Sequence, residues 1–312
     1  MDATLASIVA AATPLIFAVI GETVTERSGV INLSLEGSLM LSALAGFAAG
    51  YESGQWWVGF VAAALVGGAV ASLVAWASIG LRVNQVAVGF VLALLCIELS
   101  SFLGVSFVGQ PAAGVPHLEI PLLSDIPWLG TVFFSHDVVV YAGLALIAVS
   151  TWFMFRTGPG LVLRGVGERP EAAHARAVAV NRLRYRYALI GGALVGIGGA
   201  AFSLDVKLGW SFRHTAGFGW IALAIVIFGG WHPLRAAFGA YLFGALQVVA
   251  LKLQPTFPGL SQILPLLPFP LMIFMLVLVN RSWFRNLSDR FPSWRAVLAT
   301  DAPAALGRPF ES

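Results

Sequence analysis

Two polar residues whose side chains could take part in chemistry lie in the largely apolar stretch INLSLEG, at residues 31–37. Asn32 and Glu36 are four positions apart, so a helix through this stretch would present both on one face. Polar groups inside hydrophobic segments are costly and are candidates for transport roles. For Glu36 the residues leave two interpretations open: a structural hydrogen bond to a neighbouring helix, or a direct role in a translocation path that also includes Asn32.

A second apolar run opens with the polar pair Asn84 and Gln85 and contains Glu98 further along. The two amide side chains either cap a helix or line the inner gate of a path. Glu98 lies deep enough in the run to need a partner. It would stand in a wet cavity or be held protonated by a hydrogen bond, because desolvation raises the pKa of a carboxyl group.

Two further pairs of charged residues lie near the ends of apolar runs. Glu26 and Arg27 are expected at a membrane boundary, where an ion pair between them or between loops is favoured over solute contact. Asp205 and Lys207 stand at the end of another run. They form either a local ion pair or a docking point for an external receptor protein.

The residues give little support to metal, redox or hydrolytic chemistry. The five histidines are scattered without the spacing of metal ligands, and the single cysteine, Cys96, lies inside an apolar run as a packing group. The motifs G-x-x-x-x-G-K-[ST], H-E-x-x-H and G-x-S-x-G do not occur. We therefore predict no metal site, no cofactor, no catalytic residues and no ATP hydrolysis by this chain alone.

The composition predicts the all-α class and a polytopic membrane protein. Of the 312 residues, 58% are hydrophobic and only 11% are charged, against about 25% charged in soluble domains. A span needs roughly 20 apolar residues. About nine transmembrane helices are predicted, at 3–20, 28–50, 55–80, 83–108, 137–155, 187–204, 215–231, 234–251 and 262–280.

The distribution of basic residues predicts the orientation. With the N-terminus outside and the C-terminus in the cytoplasm, the inner segments hold fifteen of the 18 Lys and Arg residues. Only Lys207, Arg213 and Lys252 fall outside. This is the positive-inside pattern, so the basic excess reflects membrane topology and no nucleic-acid partner is expected.

Seven of the arginines lie between Arg156 and Arg186, around the stretch LRGVGERPEAAHARAVAVNRLRYRY. Pro170 suits the first turn of a helix. The stretch predicts a short Ala-rich helix that ends near Asn181, with Glu168 and Glu171 near its N-terminus. Because a helix of about ten residues is marginal in water, we expect it to dock on a partner. Arg164, Arg169 and Arg176 would then contact that partner's carboxylates.

Four blocks of this sequence resemble a known family. Residues 160–204, GLVLRGVGERPEAAHARAVAVNRLRYRYALIGGALVGIGGAAFSL, look like the coupling-helix region of ABC-transporter permeases of the branched-chain amino acid and ribose-type superfamily. GETVTERSGVINLSLEGSLMLSALAG at 21–46, LRVNQVAVGFVLALL at 81–95 and GFGWIALAIVIFGGWHPLRAAFGAYLFGALQ at 217–247 are similar to signatures of the simple-sugar and nucleoside subfamily. The chain looks most like the second permease of a nucleoside importer.

The resemblance implies a type II-like permease domain at 1–281, with a cytoplasmic coupling region at 156–186 and a coupling helix at 168–180, followed by a cytoplasmic tail at 282–312. It implies four kinds of partner in the inner membrane: a separate ABC ATPase subunit, a second homologous permease, an external solute-binding lipoprotein and a nucleoside or sugar. The ATPase-coupling residues would be Arg164, Gly167, Glu168, Pro170, Glu171 and Arg176.

Two other functions stay open on the residues alone. A ribose or simple-sugar importer would use the same fold. A proton-driven secondary transporter would use Glu36 and Glu98 and would need no ATPase, which would leave the arginine-rich stretch without a role.

Overall fold

The computed structural model describes residues 2–121, 124, 126, 130–260, 262–266, 269, 270, 273, 274, 277 and 301–311. Its helices are α1 (Asp2–Arg27), α2 (Leu35–Ser53), α3 (Trp56–Ala75), α4 (Gln85–Leu103), α5 (Val138–Arg156), α6 (Gly158–Glu168), α7 (Pro170–His174), α8 (Val180–Ala201), α9 (Phe218–Phe228) and α10 (Pro233–Leu253). Single π-helical turns, Trp76–Gly80 and Phe202–Val206, extend α3 and α8.

Six of these elements are long and apolar enough to cross a membrane: α1, α3 with its π-turn, α4, α5, α8 with its π-turn, and α10. α2, with 19 residues, overlaps the predicted span at 28–50 and extends past it to Ser53, and α9, with 11, lies within the predicted span at 215–231. The predicted span at 262–280 is described only in part, at residues 262–266, 269, 270, 273, 274 and 277. The described residues therefore contain six candidate spans, consistent with a polytopic membrane protein, and the count of nine stays a prediction.

The prediction of an all-helical chain needs one correction. Residues 117–119 (β1) and 135–137 (β2) pair as two short antiparallel strands in the connection between α4 and α5. Three-residue strands carry too little alternation to be recognised in a sequence. Asp137 ends β2 and then caps α5, since its side chain accepts a hydrogen bond from the Val140 amide at 2.9 Å.

α8 is the central helix, and α1, α2 and α3 surround it. Glycines permit this contact. A Cβ on Gly192 or Gly196 would collide with the backbone of α3, and one on Gly191 would collide with α1. The glycine-rich stretch at 191–200 thus serves packing within the chain, where small residues let helix backbones approach closely.

Most arginines gather at one end of the bundle, which we call the arginine-rich end. It contains the C-terminus of α1, the loop 81–84, α6, α7, the start of α8, the α9–α10 turn and residues 301–311. The opposite end contains the strands β1 and β2 and the connection between α8 and α9.

The close contact between α8 and α3 makes a stability prediction. Gly196→Ala places a methyl group against the Ala63 carbonyl oxygen, which belongs to the backbone of α3 and cannot rotate away. Overpacking of this kind costs about 1–3 kcal/mol. We expect a lower midpoint of thermal unfolding for the purified protein in detergent.

The matched control is Gly165→Ala in α6, where nothing lies within 4 Å of the added Cβ. This variant should unfold at or slightly above the wild-type temperature, because alanine favours helix. Equal midpoints for the two variants would contradict the packing role of Gly196.

Candidate functional site

The carboxylate of Glu36 holds the N-terminus of α9. The residue is 3% exposed, and its two oxygens accept hydrogen bonds from the amides of Gly217 at 2.5 Å, Gly219 at 2.8 Å and Trp220 at 3.2 Å. The first amides of a helix have no intrahelical acceptor, and a negative charge there also suits the helix dipole. Glu36 therefore caps the N-terminus of α9 although it belongs to a different helix, α2.

α9 begins inside the layer of spans. Its 11 residues rise about 16 Å, half of a hydrocarbon core of about 30 Å. It ends at the arginine-rich end, where the Arg27 side chain donates to the carbonyls of Trp231 at 2.9 Å and Gly230 at 3.3 Å. The N-terminus beside Glu36 therefore lies about 16 Å, one length of α9, from the arginine-rich end. Transporters use such interrupted helices at their binding sites.

Two aromatic rings stand next to this helix start. Trp220 of α9 and Phe90 of α4 have ring centroids 6.5 Å apart and a tilt of 43°. They are 42% and 48% exposed. α4 lies close to α2, because Gly37 leaves no room for a Cβ against Ala93. The aromatic pair is therefore held beside Glu36 on a face that the described residues leave open.

Asn32 belongs to a buried network at the start of α2. Its amide group donates to Glu22 Oε2 at 3.4 Å, and its Oδ1 accepts from the Ser34 hydroxyl at 2.5 Å. The Ser34 hydroxyl also lies 3.1 Å from that of Ser38. No protein hydrogen bond reaches Glu22 Oε1 within the described part of the chain. Asn32 thus ties α1 to α2 inside the bundle.

The other residues of the predicted path lie apart from this centre. Asn84 caps α4, since its Oδ1 accepts from the amides of Val86 at 2.9 Å and Ala87 at 3.2 Å. Gln85 is buried and accepts from the Ile31 amide at 2.8 Å. Glu98 is exposed on α4, and no hydrogen bond or ion pair to it occurs among the residues described.

The charged groups at the end of α1 have partners that the sequence did not indicate. Glu26 is buried and accepts a hydrogen bond from the Trp231 indole, 205 residues away. Arg27 pairs with Glu168 at 3.5 Å. The predicted ion pair between loops is present as Arg27–Glu168. Glu26 and Trp231 lie so far apart in the sequence that no local pattern indicates their contact.

The arginine-rich stretch folds as two helices with a groove between them. Residues of α6, α7 and the following loop line a groove of about 450 Å³: Leu161, Val162, Gly165, Glu168, Arg169, Ala172, Ala173, Arg176 and Val178. The Arg164 guanidinium stacks over Phe155, 4.9 Å from its centroid. Gly167 packs against the backbone of Arg27. Glu171 lies in the first turn of α7, exposed to solvent.

The predicted coupling helix at 168–180 is wrong in its bounds. Pro170 does start a helix, but α7 ends at His174, and α8 begins at Val180. Ala177 adopts a left-handed backbone with φ of 61°, which a continuous helix does not allow. Asn181, predicted as a stop, lies in the first turn of α8.

The predicted local ion pair of Asp205 with Lys207 is also absent among the described residues. The Lys207 ammonium instead donates to the His214 carbonyl and lies 5.7 Å from the Phe218 ring centroid. Side chains two positions apart on a helical turn do not face each other. Both residues stand at the opposite end of the bundle.

The turn between α9 and α10 keeps a neutral histidine. Burial, the charge of Arg235 and the charge of Arg27 lower the pKa of His232 to about 4. Its ring stacks on Phe155 at 4.5 Å between centroids, and its Nδ1 accepts from the Leu234 amide at 3.3 Å. His232 therefore caps α10 without adding charge at neutral pH.

The comparisons with known proteins agree with this architecture. Residues 4–276 match the family described as branched-chain amino acid transport system / permease component. The chain belongs to this family of permeases.

Several relatives of this permease carry names. It is 38% identical over 250 residues to the putative glucose ABC transporter permease protein TsgC13 of Haloferax volcanii, covering 79% of this chain and 76% of the relative. It is 33% identical to the nucleoside ABC transporter permease protein NupC of Lactococcus lactis and to the guanosine ABC transporter permease protein NupQ of Bacillus subtilis. Both matches cover 85% of this chain and 88% of the relative. No solved structure gives a significant match.

The permease family fits the resemblance seen in the sequence, and its members are transport subunits of ABC systems. Within the described residues, no three His, Cys, Asp or Glu side chains stand together as a metal site would require. Sequence reasoning found Glu36 but missed Phe90, because phenylalanines are so numerous that no pattern distinguishes this one.

The hydrogen bonds of Glu36 should contribute measurably to the stability of the permease against unfolding. Glu36→Ala removes the acceptors of three amides at the α9 N-terminus, those of Gly217, Gly219 and Trp220. Because a hydrogen bond to a charged group contributes about 1.5–3 kcal/mol, we expect a large loss of stability in detergent. Glu36→Gln keeps one side-chain oxygen as an acceptor and should lie between alanine and the wild type. The thermal unfolding midpoint measures the series.

Glu52→Ala is the control, since Glu52 is an exposed residue at the other end of the same helix. It should leave the midpoint unchanged. A Glu36→Ala protein as stable as this control would show that the cap does not hold α9.

Proposed function

We propose that this permease moves a nucleoside across the inner membrane into the cell as a subunit of an ABC importer. The observation that carries the proposal is the start of the short helix α9, where Trp220 binds Glu36 and lies beside Phe90. Aromatic faces stack well on a nucleobase. Similarity over 85% of the chain to permeases named for nucleosides and guanosine supports the same solute class.

A sugar importer is the second candidate. The 38% identity to the relative named for glucose favours it. The open aromatic pair favours the nucleoside, since a flat base can cover a ring face completely while a sugar ring covers it in part.

In this proposal the arginine-rich end faces the cytoplasm, the N-terminus lies outside, and the permease resides in the plasma membrane. The excess of Arg in that end supports the orientation. A separate ATPase subunit would dock in the groove between α6 and α7, using Arg164, Gly167, Glu168, Pro170, Glu171 and Arg176. Closure of the ATPase pair would rock the bundle between inward-open and outward-open states.

The proposed complex contains a second permease and an external solute-binding lipoprotein. Lactococcus lactis has permease proteins named NupC and NupB, and this chain is 33% identical to the first over 281 residues and 26% to the second over 113. That difference supports a heteromeric pair in which this chain takes the NupC position. Asp205 and Lys207, at the opposite end, would contribute to the receptor's docking surface.

The path would run along the open face of α9 and α4. Glu36, Asn32 and Gln85 hold its helices in place, Asn84 caps α4 at its inner end, and Glu98 faces the path from α4. Because three backbone amides hold the Glu36 carboxylate, that group supports a fixed polar wall better than a proton carrier.

The test is uptake of labelled guanosine, ribose and glucose by cells that express the permease with its ATPase, second permease and receptor. Guanosine uptake that disappears when any component is omitted is the expected result. Uptake of glucose alone would overturn the nucleoside assignment. Uptake by the permease without the ATPase would overturn the ABC mechanism in favour of proton coupling.

Trp220→Ala should lower guanosine uptake. Base stacking on an aromatic side chain contributes about 1–3 kcal/mol, which predicts a loss of about 5- to 150-fold at low solute concentration. The Trp220 amide still binds Glu36, so the helix start is retained. Trp220→Phe should recover most of the uptake.

Trp152→Ala is the control for Trp220, because Trp152 is also an exposed tryptophan, at 61% against 42%, and lies on α5. It should leave uptake unchanged. The stacking role would be contradicted if the two alanine variants transported at the same rate.

Arg176→Ala should weaken the contact with the ATPase, since Arg176 lines the groove. We expect uptake to fall several-fold while the permease alone keeps its thermal stability. The matched control is Arg213→Ala at the opposite end. Equal uptake by both variants would show that Arg176 has no part in coupling.

A further inference from the structure

The C-terminal residues 301–311, which we call the C-terminal strap, lie across the arginine-rich end. The Ala305 amide donates to the Gly167 carbonyl at 2.9 Å, and the Gly307 amide donates to the Gly29 carbonyl at 3.0 Å. Ala305 is buried, and Leu306 packs on the main hydrophobic core. Backbone bonds to two separate elements fix the strap in register.

Arg184 of α8 holds the strap through a hydrogen bond. It is fully buried, at 0% exposure. Its Nε donates to the Ser28 carbonyl at 3.2 Å, and its Nη1 donates to the Arg308 carbonyl at 2.8 Å. Burying a guanidinium is costly unless its donors are satisfied. The strap supplies one of the two acceptors, so the strap and the α1–α2 loop share one buried cation.

Glycines let the strap lie flat against its neighbours. Gly29 and Gly307 adopt left-handed backbones with φ of 93° and 73°. A Cβ on Gly307 would stand 2.7 Å from the side chain of Ile31, and one on Gly29 would meet the Arg184 guanidinium at 2.8 Å. At both positions the left-handed backbone strains any residue that carries a Cβ.

One side of the strap contacts α6 and α7, the helices proposed to dock the ATPase. The Ala304 amide donates to Glu168 Oε2 at 3.2 Å, the same carboxylate that pairs with Arg27. The Phe310 ring lies 5.4 Å from the His174 ring at the end of α7. Displacement of α6 and α7 would therefore pull on the strap.

The other side of the strap touches the loops that begin α2 and α4. Glu311 pairs with Arg82 at 3.0 Å. Gly307 and Pro309 line a cavity of about 340 Å³ together with Ile31, Asn84 and Gln85. The strap thus spans the distance between the coupling helices and the inner starts of two path helices.

We propose that the C-terminal strap transmits movement of α6 and α7 to the loops at 28–34 and 81–84, and so links ATP hydrolysis to opening of the path. The inference rests on the proposed importer function. In this role Arg184 and Gly307 are positioning residues, which act through the strap and touch neither solute nor ATP.

The variant that tests the strap is Gly307→Val, assayed in the complete complex. Valine is strained at a φ of 73° and collides with Ile31, so it displaces the strap. We expect guanosine uptake to fall at least tenfold while ATP hydrolysis stays within about twofold of wild type. Arg308→Ala is the matched control, because the exposed Arg308 binds Arg184 only through its backbone carbonyl. It should transport normally.

A second measurement needs no solute: amide hydrogen exchange of the complex with and without ATP. The proposal expects ATP-dependent changes at 28–34 and 81–84 in the wild type and their loss in Gly307→Val. It would be overturned by wild-type coupling in Gly307→Val, by equal loss of uptake and hydrolysis, or by a wild-type complex without ATP-dependent changes in these loops. A wild-type complex that shows the exchange changes but takes up no guanosine would overturn only the proposed solute.

Discussion

A helix that begins inside a membrane leaves backbone amides without acceptors, and in this chain Glu36 supplies them. No water in the hydrocarbon region can do so, and each unsatisfied group there costs several kcal/mol. The Glu36 carboxylate reaches from α2 to α9 and accepts hydrogen bonds from three backbone amides within 3.2 Å. Trp220, one of the three donors, is exposed at this helix start and lies beside Phe90.

Other helices hold the short helix α9 at both of its ends. α8 packs so closely on α1, α2 and α3 that several of its glycines leave no space for a methyl group, which fixes α2 and hence Glu36. At the arginine-rich end, Arg27 binds the carbonyls that follow α9, so both ends of the short helix are held by side chains of other helices.

Sequence reasoning succeeded where the signal is local. Apolar runs located the six candidate spans, Pro170 marked a helix start, and a hydrogen bond from Glu36 to a neighbouring helix was one of the two interpretations of that residue. It failed where partners are remote. Gly217 lies 181 residues from Glu36, and nothing near either residue indicates the contact. The coupling helix was predicted too long because alanine at 177 gives no sign of its left-handed backbone. The strap had no assigned role because backbone carbonyls and glycines make its contacts, and these leave no periodic pattern.

The central claim is that the face formed by Trp220 and Phe90 lines the solute path. Labelling of a thiol introduced by Trp220→Cys, in a Cys96→Ser background, tests it most directly in the assembled complex. The account predicts that a membrane-impermeant thiol reagent reacts at this position and that guanosine slows the reaction. A thiol at 220 that reacts no faster than one introduced by Trp152→Cys, with no protection by guanosine, would contradict it.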